Sequence, residues 1–354
     1  MILKPAINEV MERTKKFCSS KKKGMALIHI NAVESIKTPG VRPLNQWKFP
    51  EDLEPYLDAC VENFVYYWTH RISIDDDLIP SMYPSFGIAE HSAFIGGEVS
   101  FSSHTSWHHP IIQTWSDMDK LELREDNSWL RMVIDGMEYL KKISEDRYAL
   151  KLRGAEAPMD IANALRGNDL FTDFYDEPEN VHKLMEFCTE AAEWMLSHQK
   201  AVVGEFYGGT LTGGDVWLPG NSIGHLSEDA AALCAPNIYD TFGVPYTSRL
   251  CSRYDNTYMH THALGEHTLP SICSIPGINF IEITNDPNCS RAIEVLKRNI
   301  GILQDKIIHI ELTKEEIHSN METLKQLKTI IKYKAADLDD AAGIIATIRS
   351  ELRV

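Results

Sequence analysis

His260 and His262 stand one residue apart on the apolar run NTYMHTHALG (256–265). Alternate residues of a strand project from the same face, so both imidazoles can converge on one point. Two neutral imidazoles at this spacing suit zinc or another divalent metal, with a carboxylate or thiolate completing the set. The same pair can instead bind substrate or carry a proton. A second candidate is the triple carboxylate Asp75–Asp77 at the end of the run RISIDDDLIP (71–80). Adjacent carboxylates repel one another, so at least one needs a cationic partner or a raised pKa. Asp76 and Asp77 are the expected pocket members, holding substrate or accepting a proton; the alternative is a solvated loop.

Other residues are candidate pocket walls. Trp107 lies in the imidazole-rich stretch SSHTSWHHP (102–110), Tyr83 follows the aspartates, and Arg153 ends the run RYALKLRG (147–154). Asp215 and Trp217 follow Gly213–Gly214 in a glycine-rich stretch where backbone can approach a ligand closely. These five are the expected substrate-binding residues.

Such residues need a frame that gathers them. Short apolar or β-branched runs at 71–80, 92–101, 147–154, 205–214, 256–265, 277–287 and 306–313 alternate with helical patterns at 128–146, 179–202 and 289–303. Helical patterns at 313–333 and 336–353 close the chain. That alternation predicts βαβ units around a parallel sheet, and its count favours a (β/α)8 TIM barrel. The expected barrel is a single catalytic domain over residues 71–354, preceded by a helical extension over 1–70. In such a barrel the site is built from the carboxyl ends of the strands, where the histidines, Glu282 and Glu311 fall. No strand is followed by G-x-G-x-x-G, and P-loop and G-x-S-x-G motifs are missing.

The 354 residues carry 35 Lys and Arg against 51 Asp and Glu, a net charge of −16. That excludes broad nucleic-acid binding, which needs clustered cations, and disfavours an anionic membrane surface. The seven cysteines are scattered with no C-x-x-C pair, which points to a reducing, cytoplasmic setting. No signal peptide and no membrane span are expected.

Several stretches together resemble the uroporphyrinogen decarboxylase superfamily. They are DDDLIPSMYPSFGIAEHSAFIGGEV, ANALRGNDLFTDFYDEPENVHKLMEF, GHLSEDAAALCAPNIYDTFGVPY and MHTHALGEHTLPSICSIPGINFIEITNDP, in that order over about residues 70–312. The resemblance implies a (β/α)8 barrel and one of two activities: cofactor-free decarboxylation of a tetrapyrrole, or methyl transfer between a corrinoid protein and an acceptor. The methyltransferase branch carries H-x-C on a strand and a distant cysteine around zinc. Here His260 matches that histidine, and His262 stands where the cysteine would be. Segment 306–320 has no cysteine, and Glu311 is its nearest candidate ligand, with Glu282 the other. The decarboxylase's R-Q-A-G-R-Y segment has no counterpart. The resemblance therefore implies a metal-assisted methyltransferase with a small-molecule substrate, a divalent metal such as zinc, and a corrinoid on a partner protein. Two alternatives remain: a metal-independent decarboxylase, and a non-catalytic subunit that docks a corrinoid protein.

Overall fold

Strands buried on both faces read as near-continuous apolar runs, which is what a parallel sheet wrapped by helices requires. In the computed structural model, which describes residues 3–353, seven such runs form one parallel sheet. Its order is Met25–Val33, Lys328–Ala335, Ile307–Glu311, Ile278–Thr284, Thr257–His262, Ile223–Ser227 and Ala155–Glu156. The eighth position belongs to segment 77–82. On one side Ser81–Met82 pairs in parallel with Ala149–Leu150, just before Ala155–Glu156 in the chain. On the other side the Asp77 N–H donates to the Ile28 carbonyl at 2.7 Å. The ring thus closes as the expected eight-stranded α/β barrel.

The helices show why they form. Pro178–Val203 starts on a proline, which has no N–H to leave unpaired in the first turn. It buries Val181, Leu184, Met185, Cys188, Ala192 and Met195 at three- and four-residue spacing, and stops at Gly204, whose φ is +71°. Ile7–Ser19 closes the amino end of the barrel. Its Phe17 packs with Met25, Leu27, Phe280, Ile307 and Ile330 near the starts of four strands.

Two parts of the frame differ from expectation. The barrel begins at Met25, inside the segment expected to be a helical extension; only Ile7–Ser19 and Leu53–His70 are α-helical there. Lys328–Ala335, expected to lie largely within a helix, is a strand. These two strands are each other's neighbours, in register from Met25 against Lys328. Among the described residues, no helix is long and apolar enough to cross a membrane.

Asp76 and Asp77 belong to this closure. The amides on one edge of a strand need acceptors, and here two side chains supply them. Asp77 Oδ2 accepts from the Ile28 N–H and Asp76 Oδ2 from the Ile30 N–H, both at 2.9 Å. Arg13 Nε donates to Asp77 at 2.7 Å, Arg71 Nη2 donates to Asp76 at 2.5 Å, and Lys4 pairs with Asp76 as well. Both carboxylates are fully committed to partners that hold the barrel shut.

His29, on the first strand, is buried in the lumen, and its Nδ1 makes no hydrogen bond. Burial pushes its pKa down from 6.5 to about 4, against the opposing pull of Asp76 and Asp215. The unfolded chain takes this proton near pH 6.5 and the folded chain only near 4. Stability therefore rises with pH across that window, and the contribution is lost as pH falls. In urea titrations at pH 7 and pH 4.5, His29→Leu is expected to lose less stability on acidification than the parent, by up to about 3 kcal/mol.

Candidate metal centre

Thr257–His262 enters the barrel with Tyr258, His260 and His262 on one face. The three rings follow each other toward the carboxyl end, and each is held by a neighbour. Tyr258 OH bonds His309 Nδ1 at 2.7 Å, deep in the lumen. His260 Nδ1 donates to Glu282 Oε2 at 2.6 Å, from the residue paired beside it on the next strand. His262 Nδ1 donates to Asp286 Oδ1 at 2.6 Å, and Asp286 Oδ2 is itself fixed by the Leu264 N–H at 2.8 Å.

With both Nδ1 atoms bound to carboxylates, both Nε2 atoms are turned toward each other, 3.1 Å apart. Two lone pairs at that distance repel unless a proton or a metal lies between them. Two imidazole nitrogens bound tetrahedrally to zinc at about 2.05 Å stand about 3.3 Å apart. Asp229 Oδ1 is 3.5 Å from His262 Nε2, and one ligand atom each from Asp229, His260 and His262 lies within 4.8 Å of the others. The donor set fits a divalent metal: two imidazoles, one carboxylate, and an outer carboxylate behind each imidazole to set its tautomer. A second group, His225, His260 and Glu282, also has its ligand atoms within 4.8 Å of one another. It would spend Glu282, which already orients His260, so the Asp229 group fits better.

Electrostatics separate the upper and lower parts of the centre. Donation to the Asp229 carboxylate, against some burial and with Asp286 adding to it, raises His262 to about 9. Without metal, His262 therefore stays protonated at neutral pH. Burial would raise Glu282, but hydrogen bonds from His225 and His260, with the charges of His309 and Lys332, hold it well below the usual carboxylate range. Lys332 Nζ reaches Glu282 Oε1 at 3.0 Å. Burial pushes His225 down to about 4, so it is a neutral ring, tilted 36° to His260 with its centroid 4.2 Å away. Asp229 is positioned from below by Asp160. One Asp160 oxygen accepts from the Asp229 N–H at 2.8 Å and the other from the Ala230 N–H at 2.7 Å. Burial, then the charge of Asp229, raises Asp160 to about 6.

The expected site residues divide into five places. His260, His262 and Glu282 come together here. Trp107, which is 54% exposed, borders a cavity of about 350 Å³ that also reaches Asp229, Glu156 and Asp160. Tyr83, Arg153 and Asp215 lie in the lumen: the Arg153 guanidinium stacks over Tyr83 and pairs with Glu90, and Asp215 pairs with Lys151. Asp76, Asp77 and Trp217 are in the frame, Trp217 buried with Val10, Met11, Ile79 and Leu211. Glu311 is exposed, accepts from Asn31 at 3.3 Å, and falls in neither candidate ligand group. None of the seven cysteines joins these groups. Asp229, His225 and Lys332 were not among the expected site residues; Asp286, at the end of the next strand, fell on the carboxyl-end face where the site was expected. Asp229 sits in the S-E-D-A-A run, and its only signal was a place just after a strand.

A barrel whose catalytic-face histidines rise from one strand and are braced by carboxylates of the next defines a TIM-barrel protein with a polar lumen. Known proteins show what the chain is similar to. The family model described as Uroporphyrinogen decarboxylase (URO-D) matches residues 84–204. Among solved structures, a methyltransferase from Methanosarcina mazei shares the fold with a TM-score of 0.60 and 11% identity, over 96% of this chain and 98% of that one. No curated protein sequence matches the chain. The similarity to the uroporphyrinogen decarboxylase family thus rests on the match over residues 84–204, and the solved structure shares the barrel fold.

Proposed function

We propose that this protein is a metal-assisted methyltransferase that moves a methyl group between a small methylated substrate or acceptor and a corrinoid protein. The observation that carries the reading is the pair of facing Nε2 atoms with Asp229 beside them. A fold shared with a methyltransferase, at 11% identity, supports it as an analogy. His260, His262 and Asp229 would hold the metal. A divalent ion there would supply Lewis acidity to the group that gives or takes the methyl. Glu282 and Asp286 fix the rings by accepting from their Nδ1 atoms. The donor set has no thiolate, so it suits an oxygen or nitrogen group better than a thiol. His262 and Asp229 are 31% and 53% exposed, which leaves the centre open to a macromolecular donor at the barrel mouth. The rim hairpin of Val99–Phe101 and Ser106–His108, carrying Trp107, stands on the same side as Asp229 and would meet that partner.

The test combines elemental analysis of the purified, untagged protein with a methyl-transfer assay read from the corrinoid's visible spectrum. About one equivalent of metal and metal-dependent methyl transfer are expected. Release of CO2 from a carboxylated substrate by chelator-treated protein would identify a decarboxylase instead. Stable capture of a corrinoid protein with no turnover would identify a docking subunit. Glu282→Gln keeps the shape but removes the charge behind His260. It is expected to weaken metal affinity about 10- to 100-fold, measured by competition with a chromophoric chelator.

A further inference from the structure

A second cavity, of about 300 Å³, opens against the seam where the first strand meets segment 77–82. Arg71 lines it and is 1% exposed. Its Nη2 is bound to Asp76, and its plane lies over the Trp68 ring at 4.5 Å. Its Nε and Nη1 are buried with no hydrogen-bond partner, and the Tyr67 hydroxyl is buried beside it on the same wall. A guanidinium has five N–H donors and cannot give up its charge, so unpaired buried donors are expensive. Asp76, its ion-pair partner, is also shared with Lys4. Across the cavity stand Lys151, bound to Asp215, with Asn31 and Ser81 offering further polar groups.

We propose that this cavity binds a small carboxylate, with Arg71 as its main donor and Tyr67 and Lys151 beside it. One cation is left without a full acid partner, which matches a monoanion. The ring of Trp68 and the edge of Ile79 supply an apolar wall for a short alkyl chain. Tyr83 is also on the cavity wall, and its ring meets Lys151 at 5.0 Å and Arg153 at 5.1 Å. The binding itself does not depend on the metal reading.

The test is a ligand-observed NMR titration of chelator-treated protein with butyrate, with its uncharged isostere butyramide, and with inorganic phosphate. Butyrate is expected to bind saturably and butyramide not. Arg71→Lys keeps a cation for Asp76 and removes the extra donors; it should weaken butyrate by about tenfold or more. Lys151→Gln, whose side chain is not tied to the barrel seam, should weaken it in the same direction and serves if Arg71→Lys does not fold. His260→Ala should bind butyrate as the parent does, which separates this site from the metal centre. Equal binding of butyrate and butyramide, no saturable binding at millimolar butyrate, or unchanged affinity in both variants would overturn the proposal. Phosphate binding more tightly than butyrate would overturn the carboxylate assignment.

Discussion

His260→Ala is expected to emerge from purification without the metal that the parent chain carries, and to lose methyl transfer by on the order of a thousandfold or more. His260 supplies one of the two converging nitrogens, and nothing else on its strand can replace it. A site reduced to His262 and Asp229 has too few ligands to hold a catalytic divalent ion. The fold should survive the change, because Glu282 keeps Lys332 at 3.0 Å and its contact with His225 at 3.5 Å. The decisive readouts are metal content and melting temperature measured on the same preparation. Loss of metal with a native melting profile supports the assignment. Full metal content and full turnover in the variant would remove His260 from the centre. The double variant His260→Ala/His262→Ala should add little beyond the single, since both rings act through one ion.

The sequence was most legible where one local rule decides the outcome. Both histidines share a face because a strand has a period of two, and that needs no knowledge of the rest of the fold. Long helices such as Pro178–Val203 were legible from the spacing of their apolar residues. Partners from other strands were not. Asp229 follows one strand and Asp286 another, and only the barrel brings them to opposite sides of His262. The strands Met25–Val33 and Lys328–Ala335 were hidden for a related reason. Each is a short apolar run beside charged or helix-forming residues, and each is a strand chiefly because the other lies next to it. At Asp76 and Asp77 the expectation was a cationic partner or a raised pKa, and the structure gives both carboxylates cationic partners. What no sequence shows is that those partners, with two strand amides, would use up the carboxylates.

Asp76→Ala separates these two roles of the aspartate. Its side chain is 0% exposed and faces two cations, Lys4 and Arg71, that are 5% and 1% exposed. Removing one partner of a buried ion pair costs about 3–5 kcal/mol, because the other charge stays buried without compensation. Here two charges would be stranded, and the Ile30 N–H would lose its acceptor as well. Against a typical total of about 5–15 kcal/mol, that loss brings the chain near its unfolding limit. Asp75→Ala is the matched control: Asp75 is 59% exposed, and its pairs with Arg13 and Arg349 are worth at most about 1 kcal/mol each. Urea denaturation of the two variants should therefore differ by several fold in lost stability. Asp76→Asn should fall between them, since its amide oxygen can still accept from Ile30 but cannot neutralise Arg71. A reaction role for Asp76 predicts the reverse pattern, with near-native unfolding and an inactive site. Metal content completes the comparison: if Asp76 only closes the barrel, whatever fraction of Asp76→Asn stays folded should still carry the metal of the parent.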